Sequence, residues 1–124
     1  MPATSAKASI KILYGECDES VLATHAAEMK KAGHHVTTAI GRSGVQDALK
    51  RDAFDLVILG STLTKDDRHH LPYMVKKSHE GTKVLVMHAR GRHHEVDATI
   101  DAGTSMHFVL EKIARVIAEE VVSV

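Results

Sequence analysis

The chain has 124 residues, 44% hydrophobic but only 3% aromatic, which describes one domain of ordinary size whose aliphatic core needs neither metal nor disulfide. Lysine plus arginine and aspartate plus glutamate both number 16, so with neutral histidines there is no broad basic field to draw in nucleic acid. The lone cysteine, Cys17, excludes an internal disulfide, and with no apolar leader core in Met1 to Ser9 and no run of membrane-spanning length, the composition points to a cytoplasmic chain.

After a short flexible lead (residues 1–8), Ser9 to Tyr14 reads as a first strand stopping at Gly15. Asp18 then caps a helix whose apolar positions Val21, Leu22, Ala26 and Met29 recur at helical spacing, and Gly33 closes it. His35 to Ile40 is a second, more amphipathic strand, followed by a helix capped by Ser43 and running through Val45, Ala48 and Leu49. Phe54 to Leu59 is a continuous apolar run broken by Gly60-Ser61-Thr62, the mark of a central parallel strand buried on both faces. A third helix starts at Asp66 or Asp67, with Pro72 restricting where it begins, since proline suits a first turn and not an interior. Lys83 to His88 is a fourth strand, Arg92 to Ala102 a fourth helix, Met106 to Val109 a fifth strand and Leu110 to Val121 a final helix. Strands alternating with helices through short loops predict a single α/β domain over residues 1–124. The expected architecture is a flavodoxin-like (βα)5 three-layer sandwich, with a five-stranded parallel sheet in the order 2-1-3-4-5.

In such sheets chemistry gathers beyond the carboxyl ends of the strands. Here the central strand ends on Gly60, which has no side chain. Taken together, Lys11 to Tyr14 with Glu16-Cys17-Asp18, Phe54 to Gly60, Val84 to Ala89 and Asp101-Ala102-Gly103 resemble a response-regulator receiver domain over residues 8–120. The resemblance implies a phosphorylation switch: an acceptor aspartate ending the third strand, acidic residues after the first strand holding Mg²⁺, a hydroxyl ending the fourth strand, and a lysine after the fifth. Carried over position by position, the acceptor place falls on Gly60 and the acidic pair on Glu16 and Cys17, with Asp18 following. The hydroxyl place falls on His88, the lysine place on Leu110 and the aromatic switch place on His107. A thiol is a poor ligand for a hard cation, and glycine is no nucleophile. Ser61, Asp66 and Asp67 are the nearest substitutes for the acceptor, but Ser61 lies one residue on, where a strand turns its side chains to the other face.

The frame is therefore that of a pseudo-receiver: a non-enzymatic, phosphorylation-independent signalling module without a cofactor. The resemblance implies a protein partner docking on the fourth helix, fifth strand and fifth helix, residues 94–121, and admits a homodimer. A second reading makes Glu16, Cys17 and His88 a small metal, ligand or thiol site, since Zn²⁺ accepts mixed ligands and a Cys with a His can form a nucleophile and base. The ten histidines include three adjacent pairs, which lack the i, i+4 spacing of helical metal ligands. Cobalamin binding is refused because the loop after the first strand, Gly15 to Ser20, carries no histidine.

Overall fold

The computed structural model describes residues 10–87, 98–100 and 106–122. In chain order these form β1 (Lys11–Glu16), α1 (Glu19–Lys31), β2 (His35–Ile40), α2 (Gly41–Arg51), β3 (Leu56–Leu59), α3 (Lys65–Ser78), β4 (Lys83–Met87), β5 (Ala98–Ile100) and α4 (Met106–Val122). All strand pairs are parallel and the sheet order is β2-β1-β3-β4-β5, as the alternating pattern predicts.

Alternation along the central strands sends each residue to one of two layers. Ile12, Tyr14, Leu56 and Ile58 pack with Leu22, Ala26 and Met29 of α1 and Val109, Ile113 and Val116 of α4. Leu13, Val57, Leu59, Val84 and Val86 face the other way, against Val45 and Leu49 of α2 and Leu71 and Val75 of α3. The sheet is thus covered on both sides, which is why β3 and β4 read as unbroken apolar runs.

The local signals at α1 act as the sequence predicts. Asp18 Oδ1 accepts from the amides of Ser20 at 2.8 Å and Val21 at 3.1 Å. Gly33, at φ 104°, ends the helix in a left-handed conformation that a side chain would strain, and the His34 amide turns back to the Met29 carbonyl.

Several expectations are corrected. β1 does not stop at Gly15 but continues through Glu16, because Gly15 and Glu16 still pair with Ala39 and Ile40 of β2. Ser43 does not cap α2: the chain passes from β2 straight into the helix, and Ile40 stands at the cap with no side-chain bond. Thr64, not Asp66 or Asp67, caps α3, accepting from the Asp67 amide at 3.0 Å. Pro72 sits inside that helix rather than at its start, where Leu71, Pro72 and Val75 are all buried. Proline in a helix interior costs about 3 kcal/mol, a cost set here against burial of that apolar stripe on the sheet.

The largest difference is carboxyl-terminal. Ala98–Ile100 is strand β5, beside β4, where a helix was expected, and Met106 begins α4 rather than a fifth strand. Val109, Ile113 and Val116 are buried, with Met106, Leu110 and Ile117 packed beside them, at the spacing of one helical stripe. The four apolar-looking residues read as a short strand are the first turn of that stripe.

Candidate functional site

Two strand ends meet at the centre of the sheet. Gly15 pairs with Leu59, and the Gly60 amide donates to the Gly15 carbonyl at 2.8 Å, so Glu16 and Gly60 lie side by side just past the pairing. Tyr14, Glu16, Ile58 and Gly60 share the sheet face that α1 covers.

Glu16 is fully buried, one of two polar residues in the interior among the described residues. Its Oε1 accepts from the Thr62 amide at 2.9 Å and from the Thr62 hydroxyl at 2.6 Å. Its Oε2 accepts a short bond from the Tyr14 phenol. The phenol oxygen in turn lies 2.9 Å from His25 Nδ1, with the two rings stacked at 6.3 Å between centroids. A phenol has one proton, and here it goes to Glu16, so the His25 nitrogen is the donor in that contact. Burial, then the bond to Glu16, then its charge push the Tyr14 phenol far above its ordinary pKa, and it remains a neutral donor. Thr62 is fixed from the other side as well. Its oxygen accepts from the amides of Cys17 at 2.8 Å and Asp18 at 3.1 Å, which joins the loop after β1 to the loop after β3.

Gly60 acquires a physical reason in this arrangement. A Cβ built on it would stand 1.8 Å from Glu16 Cδ and about as close to both carboxylate oxygens. Its φ is not in the left-handed region, so the absence of a side chain serves close approach and not backbone freedom. The space in which a side chain at the end of β3 would start is filled by the carboxylate from β1.

The residues named from sequence distribute unevenly over this site. Glu16 and Gly60 come together. Cys17 is exposed and enters only through its amide. Asp18 is exposed and spends one carboxylate oxygen on the α1 cap. His88, with Arg90 to His94, lies outside the described residues. His107 and Leu110 are in the first turns of α4 and not at the end of a strand, so the switch and lysine places assigned to them have no strand end there. Ser61 is exposed, and Asp66 and Asp67 stand in the first turn of α3.

Tyr14, His25 and Thr62 were not singled out by sequence reasoning. One signal was present: Tyr14 and Glu16 are two apart on a strand, so a phenol and a carboxylate share a buried face.

Mg²⁺, which a receiver pocket implies, does not fit the residues after β1. Both Glu16 oxygens are turned inward onto protein donors, position 17 offers sulfur, and Asp18 caps a helix, so three hard oxygen ligands are not presented together. Among the described residues no three His, Cys, Asp or Glu side chains are grouped to hold a metal ion, so the metal alternative built on Glu16, Cys17 and His88 gains no support there.

The fold, with its sheet order, is that of response-regulator receiver domains. A CheY-like receiver protein from Methanospirillum hungatei JF-1 superposes with a TM-score of 0.77 at 18% identity, covering 91% of this chain and 97% of that one. The receiver domain of HemR from Leptospira biflexa gives 0.73 at 24% identity, with 86% and 92% covered. NtrX from Brucella abortus gives 0.75 at 17% identity over 92% of this chain, which spans only 28% of the NtrX chain. No family model and no curated protein sequence matches the chain.

Proposed function

We propose that the protein is a receiver-like signalling module that works by contact and independently of aspartyl phosphorylation. The observation that carries this reading is the Glu16 carboxylate lying where the first carbon of an acceptor side chain would stand at Gly60. Phosphoryl transfer to a carboxylate needs a nucleophile in line with an incoming phosphoryl group, together with cations on its oxygens. Gly60 offers no nucleophile, and Glu16 is engaged on both oxygens and walled off from solvent.

The module is not an enzyme, carries no cofactor and acts in the cytoplasm. Among the described residues no helix is long and apolar enough to cross a membrane. Its partner is a protein, and the docking surface is the β5 edge of the sheet with α4, where Phe108 is 59% exposed. A second copy of the chain is one such partner.

Incubation with acetyl phosphate and Mg²⁺, followed by intact-mass measurement, tests the reading. The expected spectrum shows no mass increment of a phosphoryl group. A hydroxylamine-labile phosphoryl increment mapping to residues 60–67 contradicts the proposal.

A further inference from the structure

We infer that the end of β1 and β3 is a self-liganded anion site, with the Glu16 carboxylate as its tethered ligand. This deepens the function proposed above and rests on Gly60 not being an acceptor.

Three donors converge on one buried carboxylate: the Thr62 amide, the Thr62 hydroxyl and the Tyr14 phenol. The two side-chain donors also contact groups other than Glu16. The Thr62 oxygen accepts the Cys17 and Asp18 amides, which leaves its proton to point at the carboxylate. The Tyr14 oxygen also lies 2.9 Å from His25 Nδ1, a second contact that holds the phenol in place. Donors held by partners outside the site keep their aim when the acceptor is removed, as in a preorganised oxyanion site. Buried donors left without an acceptor are costly, so a site emptied by truncation of Glu16 favours a replacement anion. Gly60 supplies the room, since no Cβ intrudes on the carboxylate.

The chemical class of the ligand follows from the donors. It is a small anion with at least two acceptor oxygens, a carboxylate or a phosphate. While Glu16 occupies the site an external anion is excluded. An input acting at this end of the sheet therefore acts by displacing Glu16 from the Thr62 and Tyr14 donors, and not by modifying residue 60.

Thermal unfolding of Glu16→Ala in sodium formate, against sodium chloride at equal ionic strength, tests this. Formate should raise the midpoint of the variant saturably and leave the wild type no higher than chloride does, because only the variant has a vacant site. The further change Thr62→Val should abolish the formate effect. Formate acting no better than chloride on Glu16→Ala, or equally on the wild type, overturns the inference. Should Glu16→Ala fail to fold, Glu16→Gln replaces it. Its amide must present hydrogens to at least one donor, so it should unfold below the wild type, and equal stability overturns the inference. A wild-type protein that becomes phosphorylated sinks the contact-only function but leaves formate rescue standing. Absent rescue with an unphosphorylated wild type sinks the tethered ligand alone.

Discussion

The two faces of the same central strands follow different rules. On the face covered by α2 and α3, Leu13, Val57, Leu59, Val84 and Val86 pack into one apolar cluster. On the face covered by α1 and α4, the row Ile12, Tyr14, Glu16 passes from hydrocarbon to phenol to carboxylate within three positions. The first face holds the sheet together, while the second ends in a polar cluster that joins two loops through Thr62. Two neighbouring glycines show the contrast. Gly15 turns to the apolar face, where a Cβ would stand 2.6 Å from Val45 Cγ2, and Gly60 turns to the polar face, against Glu16. Both leave room for something else, but only at Gly60 is that something an ionisable group.

The change expected to break this arrangement most severely is Gly60→Asp. It sets a second carboxylate against a buried one and overfills the site, and it should cost about 4 kcal/mol or more in urea unfolding. It should not restore phosphorylation. Leu59→Ala, one residue earlier on the apolar face, should cost about 2–5 kcal/mol by cavity formation alone, without altering the loop amides. If Gly60→Asp proves milder than Leu59→Ala, the carboxylate does not fill that space. Tyr14→Phe sharpens the comparison, since it keeps the ring and removes one donor to Glu16. A loss of about 1–3 kcal/mol is expected, and none if the phenol bond is dispensable.

The smallest effect concerns pH. Burial lowers the pKa of His34 below its usual value, and its Nδ1 is buried with no hydrogen-bond partner among the described residues. The unfolded chain therefore binds a proton at His34 more readily than the folded one. Stability should be constant above the ordinary histidine range and fall as pH drops through that value toward the lowered one. His34→Gln should flatten that part of a plot of stability against pH, and an unchanged slope would remove His34 from the account.

Much of the architecture was legible because the strands are buried on both faces. Val84 to Met87 and Leu56 to Leu59 are continuous apolar runs, and Asp18 with Gly33 marks both ends of α1. The carboxyl-terminal third misled because Met106 to Val109 is apolar enough to pass for a strand, while the three residues of β5 are too few to show a period. The site was half visible. A glycine at the end of β3 is plain in the sequence, but the reason for it is a contact with Glu16, and Thr62 reaches that carboxylate across 46 positions of chain. Local pattern carries no record of such a contact.

That Glu16 fills the place of an acceptor is tested most directly by a two-dimensional amide NMR spectrum recorded with and without Mg²⁺ and beryllofluoride. The prediction is an unchanged spectrum, with the Thr62, Cys17 and Asp18 amides held where Glu16 and Thr62 set them. Shifts spreading from Gly60 and Thr62 into α4 would contradict it, because they would mean that a phosphoryl mimic finds a carboxylate and a cation where these residues leave room for neither.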